Sequence, residues 1–301
     1  MSADGSLRAV LYALAANFGI FVAKAVAAGV TGSTSMLAEA IHSFADCGNQ
    51  GLLLRGMREA KRPADREHPL GYGRVVYFWA FLVAVLLFTV GGAFSIYEGV
   101  HKLSSPAPIA WPGVAIGVLA IAVILESFSL AGCVREIRKV FPRGSLWRYF
   151  RQSRDSELIV VLGEDIAALA GLVVALLAVL LAWITGNPVF DALGSIVVGA
   201  LLILVAILLS IEIKAMITGQ SAEPVVESQI RALIVARPEV GDLFSLITLQ
   251  LGDGLLVAVK ARMRESHSAQ VLIDDVNRVE AAVRSTFPQV AWLFFEPDDK
   301  A

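Results

Sequence analysis

The sequence predicts an α-helical membrane protein with six transmembrane helices followed by a cytoplasmic αββαβ ferredoxin-like domain. The 301 residues are 56% hydrophobic and only 17% charged, and the mean hydropathy is +0.70. These values lie outside the range of soluble globular proteins. Six apolar runs are each long enough to cross a bilayer as a helix, and a stretch of soluble composition follows the last of them.

The six apolar runs define a predicted transmembrane domain at residues 1–218. The helices are predicted at about residues 7–30, 35–57, 75–100, 110–134, 158–184 and 190–218. Arg and Lys concentrate in the loops after the second and fourth runs, whereas the loops on the opposite side contain only Lys102. Because basic loops stay on the cytoplasmic side, both chain ends are expected in the cytoplasm.

Residues 219–301 are predicted to form a separate cytoplasmic C-terminal domain. Their pattern reads as a helix at 225–236, strands at 243–251 and 255–263 joined by a Gly-Asp-Gly turn, a helix at 269–287 and a short strand at 290–295. This αββαβ order is typical of a small ferredoxin-like sandwich.

The second run carries four polar residues that are costly in hydrocarbon unless something binds them: Glu39, His42, Asp46 and Asn49. Their spacing places all four on one helical face, with His42 and Asp46 one turn apart. An imidazole beside a carboxylate suits a divalent metal such as zinc. The structural alternative is that one of this pair bonds to the backbone and the other pairs with Lys24.

Other polar residues in the apolar runs leave alternatives open. Glu164 and Asp165 are adjacent in the fifth run and point about 100° apart on a helix, so at most one can face the second helix squarely. Glu126 in the fourth run is either a pathway group or the partner of another buried polar residue. Glu39 and Asn49 either line the path or form hydrogen bonds between helices.

Two other places have ordinary structural explanations. Glu98, near the outer interface, is explained by solvation, and Asp191, in the first turn of the sixth helix, by the helix dipole. In the cytoplasmic loop at residues 63–73, Asp65 and His68 have a spacing that could hold a metal, but the Pro and Gly residues there are also those of a turn.

Taken together, these motifs resemble the cation diffusion facilitator family. The resemblance rests on residues 31–33, on the His42-x-x-x-Asp46 motif, on residues 63–68 and 71–73, on the acidic pair in the fifth run and on the αββαβ domain. Residues 71–80 and 94–99 further resemble the branch that contains the mitochondrial zinc transporter number nine of mammals and its bacterial relatives.

The resemblance implies a homodimeric, secondary metal–proton antiporter that exports a divalent cation by alternating access. Its partners would be zinc as transported substrate, protons, the lipid bilayer and a second copy of the chain. No enzymatic activity, permanently bound cofactor or nucleic acid is expected. The expected location is a bacterial inner membrane, crossed several times.

The resemblance also implies a ligand set, from which this chain departs. The family's central site takes two residues four apart from the second helix and two from the fifth. His42, Asp46 and Asp165 match three of these positions, but the fourth falls on Val161, which has no ligand atom. A bent helix that brings in Glu164, a water molecule and Asn49 are the open alternatives for the fourth ligand.

Two further sites of the family are depleted. In the loop, Asp65 and His68 match a secondary site whose third position falls on Tyr72, so a weak or absent site is expected. The metal cluster of the soluble domain would need histidines where this chain has other residues, namely Gly241, Lys260 and Phe294, with Glu296 retained. The domain is therefore expected to dimerise without a metal.

Three rival hypotheses remain. Manganese, iron or cobalt could replace zinc as the exported cation. An intramembrane aspartyl protease using Asp46 and Asp165 would need two carboxylates that share a proton, and both the nearby His42 and the absence of a Gly-x-Gly-Asp motif argue against it. A metal sensor built on the soluble domain is disfavoured by the missing histidines.

Overall fold

The computed structural model describes residues 3–31, 34–105, 111–264 and 268–300, without the side chains of residues 3, 4, 31, 34–39, 41, 42 and 45. The chain forms two compact units. The helical unit comprises Met1–Arg58, Phe78–Ser145 and Asp155–Lys214. The sheet unit comprises Glu59–Tyr77, Leu146–Arg154 and Ala215–Ala301.

Eight α-helices precede the C-terminal domain in the described part of the chain. They are α1 Ala3–Thr31, α2 Thr34–Ala60, α3 Val75–Leu86, α4 Phe94–Ser104, α5 Pro112–Val140, α6 Leu146–Gln152, α7 Ser156–Thr185 and α8 Val189–Thr218. A π-helical segment, Leu87–Ala93, joins α3 to α4, so Val75–Ser104 is one continuous helix. Sequence analysis did not predict α6, because seven residues are too few to show a helical period.

The prediction of a multi-pass helical membrane protein is confirmed. Among the described residues, five helices are long and apolar enough to cross a membrane: Gly5–Val30, Val75–Ser104, Pro112–Val140, Ser156–Thr185 and Val189–Thr218. They correspond to five of the six predicted runs. The remaining helix, α2, corresponds to the second predicted run. It has 27 residues and is long enough to span a bilayer, but it carries the charged residues singled out above. Its crossing of the bilayer stays a prediction.

Small residues allow the helices of the helical unit to approach closely. A Cβ atom at Gly132 of α5 would lie 2.6 Å from the ring of Tyr12 on α1. Likewise, a Cβ atom at Gly199 of α8 would lie 2.7 Å from the carbonyl oxygen of Gly92 in the π-helical segment. Close packing of this kind is a main source of helix association in a bilayer, where the lipid is as apolar as the side chains.

The C-terminal part of the sheet unit has the predicted αββαβ order. It consists of α9 Pro224–Val235, β1 Val240–Leu251, β2 Gly254–Met263, α10 Ala269–Thr286 and β3 Val290–Pro297. The strand order is β1-β2-β3, with β1 antiparallel to β2 and β2 parallel to β3. The helices α9 and α10 cover the sheet with a core that includes Ile230, Val257 and Val279. Its classification as ferredoxin-like stays a prediction.

The β1–β2 turn receives the chain segment that leads into α3, also within the sheet unit. Gly252 in this turn has a φ of +64°, a conformation that favours glycine, and its N–H donates to the Tyr77 hydroxyl oxygen at 3.0 Å. A Cβ atom at Gly252 would lie 2.5 Å from the carbonyl oxygen of Gly73. The two backbones are therefore in direct contact.

Candidate metal centre

A cavity of about 400 Å³ lies inside the helical unit and contains most of the polar residues singled out by sequence. Its described lining residues include the basic Lys24 and the acidic Asp46, Glu98, Glu126, Glu164, Asp165 and Asp191. Carboxylates placed among apolar helices are costly unless hydrogen bonds or counter-charges compensate them. The contacts of each carboxylate therefore indicate what it can bind.

Glu164 is held by side-chain amides of α2. Asn49 donates to its Oε1 atom at 2.8 Å and Gln50 donates to its Oε2 atom at 2.9 Å. Asn17 of α1 in turn donates to the Oε1 atom of Gln50 at 3.2 Å. Gln50 is completely buried, so this chain of amides fixes the position of Glu164 among α1, α2 and α7.

Asp165 points towards a different helix. The hydroxyl group of Ser129 on α5 donates to its Oδ2 atom at 2.9 Å, and Asp165 is only 2% exposed. Among the described side chains, the hydrogen bonds to α2 are therefore made by Glu164, although Asp165 occupies the position that matches the family pattern. Both carboxylates line the cavity, and the role of Asp165 as a ligand stays a prediction.

Asp46 lines the same cavity from α2. The side chains of Glu39 and His42 lie outside the described residues, so the predicted pairing of His42 with Asp46 stays a prediction. Among the described side chains, which do not include His42, no three His, Cys, Asp or Glu residues are arranged to hold one metal ion. A shared ion would therefore have to draw the carboxylates of the cavity closer together.

Glu126 faces the cavity from α5 and is only 4% exposed. The charges of Asp165, Asp46 and Lys24 all act on its carboxylate. Glu126 therefore shares one electrostatic environment with the two predicted aspartate ligands.

An ion-pair cluster that was not predicted from the sequence lies at the cavity wall, where α4 ends and α8 begins. The Lys102 Nζ atom on α4 lies 3.1 Å from a carboxylate oxygen of Glu98 and 3.1 Å from one of Asp191 on α8. It also donates to the Ser195 hydroxyl at 3.4 Å. Glu98 and Asp191, interpreted from sequence as ordinary helix-end residues, thus join α4 to α8 at the cavity wall.

The loop at residues 63–73 uses Asp65 to organise a turn within the sheet unit. The Tyr72 hydroxyl donates to its Oδ2 atom at 2.7 Å, and the N–H groups of Glu67 and His68 donate to its Oδ1 atom at 3.0 and 2.8 Å. The bond from Tyr72, followed by the one from the His68 backbone, lowers the pKa of Asp65, and the same phenol contact raises the pKa of Tyr72. Turn formation alone accounts for these contacts, and a weak metal site at Asp65 and His68 stays a prediction.

The C-terminal domain has an ion pair at Lys260, where the family resemblance places a metal ligand. The Lys260 Nζ atom lies 2.8 Å from the Oδ2 atom of Asp298 and 3.9 Å from an oxygen of Glu296. The hydrogen bond from Lys260 is the largest cause that holds the pKa of Asp298 at about 2. The carboxylates here are compensated by a cation of the protein itself.

Gln50 and Asn17 were not among the residues predicted from the sequence. Gln50 lies four residues after Asp46, which continues the spacing that joins His42 to Asp46. Asn17 lies seven residues before Lys24, and therefore two turns away on the same face of α1. A search that extended the polar face of each helix would have found both amides.

Comparison with known proteins identifies the family. A sequence profile described as the cation efflux transmembrane domain matches residues 10–217. The chain belongs to the cation efflux family. This confirms the resemblance to the cation diffusion facilitators that the motifs indicated.

Three relatives illustrate the range of similarity within the cation efflux family. The mitochondrial proton-coupled zinc antiporter SLC30A9 of Xenopus laevis is 35% identical over 254 residues, which cover 84% of this chain and 45% of that protein. Metal tolerance protein C4 of Arabidopsis thaliana is 35% identical over 210 residues, covering 68% and 45%. Zinc transporter ZitB of Escherichia coli is 21% identical over 279 residues, covering 91% and 82%. The chain thus spans less than half the length of the first two relatives.

Proposed function

We propose that this protein exports a divalent cation, with zinc as the main substrate, in exchange for protons. The observation that carries the proposal is the cavity whose lining includes Asp46, Glu126, Glu164 and Asp165. Membership of the cation efflux family supports it, as does similarity to proteins named as a proton-coupled zinc antiporter and a zinc transporter.

The charges of the cavity suggest how the exchange works. Several carboxylates in a medium of low dielectric constant cannot all remain ionised without compensation. A divalent cation compensates two of these negative charges, and protons bound to the same groups do so equally well. Because protons and metal compete for the same lone pairs, the entry of one favours the departure of the other.

The proposed ligands are His42, Asp46 and Asp165, with Glu164 and Asn49 in supporting positions. The imidazole of a histidine titrates near neutrality, so a modest pH difference across the membrane changes its occupancy by protons. Glu164 accepts hydrogen bonds at both oxygens, which suits a group that shapes the site. Glu39 is proposed to line the path on the same face of α2.

The transport cycle is proposed to be alternating access in a homodimer, in a membrane that leaves both chain ends in the cytoplasm. The Lys102 cluster joins α4 to α8 at the cavity wall, and the proposed orientation makes this the outer end of the cavity. In this cycle the cation leaves when the two helix ends separate. The domain at residues 219–301 is proposed to provide the dimer contact without a bound metal.

The direct test is flux in proteoliposomes that contain the full chain and a pH-sensitive dye. Zinc added on one side should move protons in the opposite direction, and Asp46→Ala should abolish this movement. Glu136→Gln provides the matched control, because Glu136 is a buried glutamate that is paired with Lys139 and is not among the residues lining the cavity. Absence of metal-driven proton movement with every cation tested would contradict the proposal.

The alternative cations are compared in the same assay. Manganese, iron and cobalt would each have to produce a faster flux than zinc to replace it as the main substrate. Family membership argues against the aspartyl protease. Cleavage of a helical membrane substrate by the purified protein, lost in Asp165→Asn, would reinstate that alternative.

A further inference from the structure

Glu126 is a buried carboxylate whose contacts differ from those of its neighbours in the cavity. Glu164 accepts hydrogen bonds at both oxygens and Asp165 accepts one from Ser129. In the described part of the chain, no donor forms a hydrogen bond with Glu126, although it is 4% exposed and lines the cavity. Its carboxylate is therefore the least satisfied of the three.

A carboxylate in this position needs a partner that the hydrogen-bond network does not supply. Burying an ionised group without a partner is strongly unfavourable. The charge of Lys24 acts on Glu126, but those of Asp165 and Asp46 act on it with the opposite sign. A divalent cation inside the cavity, together with Lys24, would balance the negative charges of Glu126, Asp165 and Asp46.

We propose that Glu126 is a direct ligand of the transported cation and supplies the donor that the fifth predicted run lacks at Val161. This inference rests on the proposed function and adds a third helix to the site. Asp46 then comes from α2, Asp165 from α7 and Glu126 from α5, and all three line the same cavity. With His42 they provide the four donors that zinc prefers.

The contacts of the other candidates for this fourth position favour Glu126. Both oxygens of Glu164 are occupied by amide donors, and the Asn49 amide is one of those donors. A metal ion bound by Glu164 would share each oxygen with an amide donor that already withdraws electron density from it. Binding to Glu126 breaks no hydrogen bond in the described part of the chain, and Ser129 leaves the second oxygen of Asp165 to the ion.

A bound cation is expected to change the spacing of two helices. The described side chains are not arranged as a closed metal site, so an arriving ion must draw Glu126 and Asp165 together. These residues lie on α5 and α7, which are packed against each other. The separation of these two helices should therefore depend on whether the ion is bound.

The test measures zinc binding and zinc flux separately for the full-length protein. Equilibrium binding of radioactive zinc to the purified protein should weaken about tenfold or more in Glu126→Gln, since even the loss of a residue that only orients a ligand costs ~10–100-fold. Glu136→Gln is the matched control, because Glu136 lies on the same helix with 5% exposure and pairs with Lys139. It should bind zinc like the unaltered protein.

A ligand replacement distinguishes coordination from a structural role. Glu126→His should recover part of the zinc binding that is lost in Glu126→Gln. Its selectivity for zinc over manganese should exceed that of the unaltered protein, because imidazole suits zinc and carboxylate suits manganese. A residue needed only for packing would give no such shift in selectivity. The variants are compared after each has been shown to elute as the unaltered protein does on size-exclusion chromatography.

The outcomes separate this inference from the proposed function. Zinc binding and flux in Glu126→Gln equal to those in Glu136→Gln would overturn the role of Glu126 and leave the transport function intact. Unchanged zinc binding with loss of proton exchange would also overturn it, since Glu126 would then carry protons and not the metal. Absence of zinc binding and flux in the unaltered protein would instead contradict the function itself.

Discussion

Buried carboxylates of the helical unit and paired carboxylates of the sheet unit meet different kinds of donor. In the sheet unit, Glu239 accepts hydrogen bonds from the guanidinium groups of Arg237 and Arg278, and Asp298 lies 2.8 Å from the Lys260 ammonium. In the cavity, Glu164 accepts from two amides and Asp165 from a hydroxyl group. Fixed cations balance the first set permanently. Neutral donors orient Glu164 and Asp165 without supplying a positive charge, which is what the proposed exchange of metal and protons requires.

The largest effect that tests this contrast is expected for the aspartates of the cavity. Either Asp165→Asn or Asp46→Ala should reduce metal-driven flux to the level of empty vesicles, because each removes a ligand and a negative charge that offsets desolvation of the metal. Glu136→Gln should retain flux. Flux close to that of the unaltered protein in both cavity variants would show that the metal site lies elsewhere.

A smaller, partial effect is expected for Glu164→Gln. The new amide group places an N–H donor against one of the donors Asn49 and Gln50, which should lower the free energy of unfolding by about 1–3 kcal/mol. Flux should decrease or change its pH optimum without disappearing. Thermal unfolding and flux at several pH values provide the measurement. Complete loss of flux, equal to that in Asp165→Asn, would make Glu164 a ligand and weaken the case for Glu126.

The C-terminal domain should show little or no zinc binding. Its core lies entirely within the C-terminal domain and includes Ile230, Val257 and Val279, so residues 219–301 are expected to fold on their own. Lys260 forms ion pairs with the carboxylates of Glu296 and Asp298. The side chains of Gly241 and Phe294 have no atom that could bind a metal. Titration calorimetry with zinc on this fragment is the measurement. A tight, stoichiometric site would erase the difference between the two sets of carboxylates.

The smallest effect is expected for Lys260→Met and is measured as a change in the pKa of Asp298. The pKa of Asp298 is about 2, below its ordinary value of 3.8. The ionised carboxylate therefore adds to the free energy of unfolding above pH 3.8, and this contribution is lost as the pH falls through 2. Without Lys260 the pKa should rise towards 3.8 but not reach it, because the N–H groups of Asp299 and Lys300 still donate to the carboxylate. An NMR titration of the side chain measures this. An unchanged pKa would assign the whole shift to the backbone amides.

The sequence predicted the helices well because their composition alone determines them. Runs of about 25 apolar residues have no other stable arrangement in a bilayer, and their observed ends lie a few residues from the predicted ones. The helix of the fourth run is an exception, because it continues to Val140, beyond the predicted end at residue 134. Charged residues at the end of a helix lower the local hydropathy without ending the helix.

The details of the site were less predictable, because they depend on which helices become neighbours. Sequence spacing placed Asp46 and Asn49 on one face of α2 but could not show that Asn49 and Gln50 would meet Glu164 from α7. The partner of Asp165 was equally hidden, since Ser129 is one of several serines in apolar helices. Hydroxyl and amide groups are common in such helices and become informative only when their acceptors are known.

The contact between Gly73 and the β1–β2 turn has a practical consequence for labelling experiments. A side chain at Gly73 would collide with the carbonyl oxygen of Leu251, and one at Gly252 would collide with that of Gly73. Exposed hairpin tips are usually the first choice for an epitope tag or a dye, but here an insertion would displace the segment that enters α3. A probe at the exposed Asp299 would leave that contact untouched.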